Sequence, residues 1–218
     1  MTNSDSPTPA ITFRDLTSLS AISSDIWLSL QRAVTDRNCG WRLPVLATRC
    51  GDAVRQRTVV LRDVAPVPRR LLAHTDRRSP KFAQLQSHPA ASWLFYDHPA
   101  ATQLVITGQV TLHTDDALAA DLWSRESESS LRGYLGAHAP GTAAKAASHN
   151  LPDQWQGRVP AREDLQSARD HFAVICCHVD TIEWLHLKRD GNLRARFSLS
   201  ESVDRAQAAH PTAEWLHP

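Results

Sequence analysis

The chain has 218 residues, 42% hydrophobic and 22% charged, which is enough for one sizeable core and unlike a disordered chain. Its 24 Lys plus Arg nearly cancel its 23 Asp plus Glu, so the formal charge of +1 leaves no global footprint for nucleic acid or a membrane surface. No apolar run approaches the roughly 20 residues that cross a bilayer.

Residues 1–12 read as a polar leader without the basic-then-apolar layout of a signal peptide, and 13–218 as one domain. Ile22, Ile26, Leu30 and Val34 fall on helical spacing, and Asn38-Cys39-Gly40 reads as the stop. The period then changes. Leu43–Thr48 and Val54–Val64 are predicted strands around a Gly51-Asp52 turn, with Leu71–Thr75 as a third. Pro80–Gln86 is a short helix, followed by strands at Ala91–Tyr96 and Gln103–His113. A helix capped by Thr114 or Asp115 runs to Trp123, and another starts at Leu131. Residues 136–156, rich in Ala, His, Pro and Gly, form a loop or arm. Arg162–Asp170 is a short helix. Phe172–Leu187 is a long strand with a bend at Asp180, joined through Asp190-Gly191 to a last strand, Leu193–Leu199. This order describes an α+β domain around an antiparallel sheet or barrel, without the alternation of a doubly wound fold.

The four cysteines (Cys39, Cys50, Cys176, Cys177) show no C-x-x-C spacing. They fit the reduced residues of a cytoplasmic protein, although a Cys39–Cys50 disulfide is conceivable. Cys176 and Cys177 are expected on opposite faces of their strand. The 11 His show no metal-ligand spacing, no metal is expected, and glycine-rich nucleotide loops and a G-x-S-x-G elbow are missing.

Two stretches carry chemistry. In Arg57-Thr58-Val59-Val60-Leu61-Arg62, a strand would put Arg57, Val59 and Leu61 on one face and Thr58, Val60 and Arg62 on the other. Two arginines bracketing a β-rich run suit an anionic ligand, or merely snorkel from a barrel strand. In His74-Thr75-Asp76-Arg77-Arg78-Ser79-Pro80-Lys81, a strand leads into a helix start, with hydroxyls at Thr75 and Ser79 and charges at Arg77, Arg78 and Lys81. That is either a phosphate cradle without a Walker loop or a solvated basic loop.

Taken in order, R-T-V-V-L-R at 57–62, H-T-D-R-R-S-P-K at 74–81, the strand through Gln103 to Gly108, the helix ending Trp123-Ser124-Arg125, Ile182-Glu183-Trp184 and Arg194-Ala195-Arg196-Phe197 resemble one family. It is that of the pyridoxine/pyridoxamine 5′-phosphate oxidase-like proteins, which bind FMN on an antiparallel split β-barrel with flanking helices. The closing Trp215-Leu216-His217-Pro218 looks like its broader, oxidase-related branch. The resemblance implies that Arg57, Ser79 and Lys81, with Arg78 as a substitute for a missing family Arg, neutralise the FMN phosphate. Thr58, Val59, Val60 and Leu61 would line the flavin, Arg62 would sit near its reacting face, and His74 and Thr75 would border the ribityl phosphate. Gln103, Trp184 and Arg196 match positions that complete the site from a second subunit, so a homodimer with interface sites is implied. Arg125, Ser129 and Arg194 match substrate-side positions. Asp121 stands where the family has Tyr and Asn192 where it has Arg, so the cofactor side is better matched than the substrate side, and the substrate need not be pyridoxamine phosphate. The implied activity is an FMN-dependent oxidoreduction of a small molecule. A non-catalytic flavin-binding or flavin-sensing protein, or a split barrel for haem or a deazaflavin, are the alternatives.

Overall fold

The structure is a computed structural model that describes residues 11–199 and 212–218. Fourteen main elements follow in order: α1 (Leu19–Thr35), β1 (Val45–Cys50), β2 (Ala53–Thr58), β3 (Asp63–Pro66), β4 (Arg69–Asp76), α2 (Pro80–Ser87), β5 (Ala90–Asp97), β6 (Thr102–His113), α3 (Ala117–Arg125), α4 (Glu128–Leu131), α5 (Gln166–Arg169), β7 (Phe172–His186), β8 (Leu193–Ser198) and β9 (Thr212–Leu216). The strands form one antiparallel sheet in the order β2-β1-β5-β6-β7-β4-β3, from which β8 and β9 branch at β7. The two end strands of that path, β2 and β3, are joined by only four residues, so the sheet must curl until its ends meet. Segment 59–62 makes the closure. The Val59 and Leu61 N–H groups donate to Pro44 and Arg42 carbonyls, whereas Arg62 N–H donates to the Leu72 carbonyl of β4.

That closure corrects one expectation. Val54–Val64 is not a single strand but two, β2 against β1 and β3 against β4, with irregular backbone between. β7 divides in the same way along one edge. Residues 172–178 pair with β4, and residues 181–186 pair with β8. The bend expected at Asp180 is a bulge, where β6 passes from pairing Thr181 at Thr107 to pairing Val179 at Gly108. Gly108 is required there, because a Cβ would lie 2.0 Å from the His178 carbonyl oxygen.

The barrel is filled by one core that includes Leu46, Trp93, Phe95, Leu104, Ile106, Ile182 and Trp184, sealed by the apolar stripe Ile22, Ile26 and Leu30 of α1. Ile11 belongs to that core, so the fold begins before the leader's expected end at residue 12; residues 1–10 lie outside the described ones. A second cluster lies on the other face of β4 and β7, where Leu72, Val174, Cys176 and Phe172 pack under α3, α4 and α5. Cys177 faces the barrel and Cys176 the second cluster, as strand alternation requires, and all four cysteines are free. α3 is capped by Asp116, whose carboxylate accepts from Ala119 N–H, one residue later than expected. The helix expected from Leu131 is instead α4 followed by a 3-10 turn at Arg132–Leu135. Among the described residues no helix is long and apolar enough to cross a membrane.

Candidate anion and cofactor site

β2, β4 and α2 bring one group of polar side chains together. Alternation along β4 sends Leu71, Ala73 and Thr75 to the barrel side and Leu72, His74 and Asp76 to the second cluster. Thr75 is therefore aimed at the start of α2, where its hydroxyl lies 3.1 Å from Ser79 Oγ; both residues are buried. Ser79 is the N-cap residue of α2, yet its side chain makes no capping bond, and Lys81 Nζ donates to it at 3.3 Å. From β2, Arg57 donates to Thr48 Oγ1 at 2.5 Å, to the Leu46 carbonyl at 3.4 Å and to Gln84 Oε1 of α2 at 3.0 Å. Burial lowers the Lys81 pKa, and Arg57 beside it lowers it further; burial lowers that of Arg57. Two half-buried cations, each disfavoured by burial and one of them also by the other, lie beside two buried hydroxyls and form a site that an anion would stabilise.

Arg57, Thr75, Ser79 and Lys81 thus converge as the sequence implied. Of the backbone at Thr58, Val59, Val60 and Leu61, the Val59 and Leu61 N–H groups are occupied within the fold. The N–H of half-buried Val60, outside any strand, has no acceptor among the described residues. Thr48, which holds Arg57, also lines an open groove of about 480 Å³ walled by Ala47, Ala91, Ser92 and Gly108. A depression of about 310 Å³ around Pro66–Arg69 and His178 contains none of these residues.

Other expected site residues are placed elsewhere. Arg78 does not join the anion group, because its guanidinium is bound by Asp76 (2.7 Å) and by the Gly136 carbonyl at the base of the 136–156 arm. His74 points away from Thr75, with its ring edge-on to Phe172 at 4.8 Å; burial and then Arg62 lower its pKa to about 3. Arg62 lies on the same side, 3.1 Å from Glu126. Trp184 is fully buried in the barrel core against Phe13, not on a surface that a cofactor could reach. The reason is strand alternation: Ile182 and Trp184 face inward, so Glu183 and Leu185 face outward. Gln103 is opposite Leu185 on that outer face, and Arg194 and Arg196 both bind Glu183 there, at 2.7 and 2.9 Å. Of the substrate-side candidates, Arg125 forms an exposed pair with Asp121, and Ser129 is exposed, hydrogen-bonded to Ser127.

The sequence reading missed Thr48 and Gln84. Only the position of Gln84, one helical turn after Lys81, could have pointed to it. Among the described residues no group of three or more His, Cys, Asp or Glu could hold a metal ion.

Residues 27–114 match the family model described as pyridoxamine 5′-phosphate oxidase, FMN-binding domain. The fold is similar to that of a pyridoxamine 5′-phosphate oxidase-related, FMN-binding protein from Nostoc punctiforme. The two are 21% identical, with a TM-score of 0.64, over 91% of this chain and 96% of that one. It is also similar to PhzG from Burkholderia lata, solved with tetrahydrophenazine-1-carboxylic acid. That pair is 16% identical, with a TM-score of 0.65, over 97% of this chain and 98% of that one. None of the curated proteins matches the chain. The antiparallel sheet with flanking helices is accordingly the split-barrel fold of these neighbours, as the motifs implied.

Proposed function

We propose that this chain, whose residues 27–114 belong to the pyridoxamine 5′-phosphate oxidase FMN-binding family, is an FMN-dependent oxidoreductase acting on a small molecule other than pyridoxamine phosphate. The carrying observation is the convergence of Arg57, Thr75, Ser79 and Lys81 from three elements. The donor set fits a phosphate monoester: two cations with no ion-pair partner among the described residues answer a dianion, and two buried hydroxyls give directional donors. The Val60 N–H would meet a polar edge of the ring. When bound, FMN would supply the redox chemistry. The residues here bind it, orient it and exclude water from its phosphate.

The substrate inference follows from charge. Arg125 is paired with Asp121 and Arg194 with Glu183, so both arginines matched to the substrate side already face a carboxylate that a second phosphate would have to compete with. A homodimer is supported by the outer face of β5, β6 and β7, where exposed Leu94 and Tyr96 stand in the same rows as Val105, Gln103 and Leu185. Gln103, Arg194 and Arg196 on that face would then reach a cofactor held by the second subunit.

The test is direct. The purified protein should carry flavin absorbance and release FMN on heating, and Arg57→Ala combined with Lys81→Ala should lose it. A double variant that purifies fully loaded would contradict the assignment. Rapid peroxide production from pyridoxamine phosphate would refute the substrate inference. Bound flavin that no reductant bleaches would favour the flavin-sensing alternative.

A further inference from the structure

The six arginines expected around the cofactor differ in what holds them. Arg62 is paired with Glu126, Arg78 with Asp76, Arg125 with Asp121, and both Arg194 and Arg196 with Glu183. Arg57 differs: its hydrogen-bond acceptors among the described residues are Thr48 Oγ1, the Leu46 carbonyl and Gln84 Oε1, all neutral. Thr48 Oγ1 in turn donates to Gln84 Oε1 at 2.7 Å. The hydroxyl accepts from Arg57 and so must give its own proton to the amide oxygen, which closes a three-membered ring of bonds.

We propose that Gln84, acting with Thr48, is a positioning residue that fixes the Arg57 guanidinium toward the anion site while leaving its charge uncompensated. This rests on the FMN reading. A carboxylate at position 84 would orient Arg57 equally well, but it would form an ion pair and cancel the charge that the phosphate requires. An apolar side chain would preserve the charge and lose the orientation. The amide does both tasks, and its place one turn beyond Lys81 puts it on the helix face that already carries the second cation.

The experiment compares dissociation constants for FMN and riboflavin, which lacks the phosphate, by flavin fluorescence titration. Gln84→Glu should weaken FMN by about tenfold or more and leave riboflavin unchanged, since charge-assisted bonds carry the difference. Gln84→Leu should weaken FMN severalfold in the native background but not on top of Arg57→Met, because its effect passes through that guanidinium. Thr48→Val, which keeps the side-chain volume, should act like Gln84→Leu and serves if the Gln84 variants do not fold. Gln84→Glu that binds FMN as tightly as the native protein, or that loses FMN and riboflavin equally, would overturn the proposal. A native protein that binds riboflavin as tightly as FMN would overturn the cofactor reading and this inference with it.

Discussion

His74 makes the fold sensitive to acid in a way that can be calculated. Its Nε2 is shielded from solvent without a hydrogen-bond partner, its ring packs on Phe172, and Arg62 is nearby. Burial, and then the arginine, lower its pKa from 6.5 to about 3. A folded-state pKa below the unfolded value means that the unfolded chain takes up the proton first. The neutral ring's contribution is therefore complete above about pH 6.5 and is lost as pH falls toward about 3. At about 1.4 kcal/mol per pH unit, acidification from about pH 6.5 to about pH 5 removes up to roughly 2 kcal/mol through this one group. Urea unfolding at about pH 7.5 and about pH 5 should show that loss in the native protein. His74→Phe, which keeps an aromatic ring against Phe172 and removes the titrating nitrogen, should reduce the loss by about that amount. His186, whose pKa is also lowered by burial and then by Lys188, acts with the same sign and remains in both proteins, so the difference isolates His74. Identical pH slopes for the two proteins would refute the argument.

Gly108→Ala should destabilise the protein by about 3 kcal/mol or more, because the new methyl meets the His178 backbone where β6 cannot yield; Gly133→Ala, with open space around it, should stay within about 0.5 kcal/mol by thermal melting. Asn150 closes the neck of the arm, accepting from His138 N–H and donating to the His138 carbonyl, so Asn150→Ala should accelerate protease cleavage between residues 139 and 149 without altering the melting temperature of the barrel. An unchanged cleavage rate would show that the neck is held by other contacts.

What the sequence disclosed and what it concealed divide along physical lines. The α1 stripe, the strands β5 and β6 and the bend at Asp180 were legible because each is written in local periodicity or in a turn residue. Residues 54–64 misled because β-propensity records only that a backbone is extended, whereas the change of partner between β2 and β3 depends on acceptors at Arg42, Pro44 and Leu72. Trp184 was assigned from a motif, although its spacing of two from Ile182 already put both on the core side. The compensation of the arginines was illegible, since Glu126 lies 64 residues from Arg62 and only the packing of α3 and α4 onto β4 brings them together.

That compensation also explains how one strand can serve two different environments. On the second-cluster side of β4, Asp76 and Glu126 meet Arg78 and Arg62, and His74 is held neutral, so charge placed there is balanced within the chain. On the barrel side, Thr75 meets Ser79, Ser79 accepts from Lys81, and Arg57 is held by Thr48 and Gln84, so neutral groups contact these cations and neither has an ion-pair partner among the described residues. An incoming phosphate would therefore gain on the barrel side what it could gain on the second-cluster side only by displacing a carboxylate, and breaking a largely buried pair leaves a charge uncompensated at a cost of several kcal/mol. On the proposed reading, where the carboxylates lie decides which side of β4 favours an anion, and a count of arginines could not have supplied that.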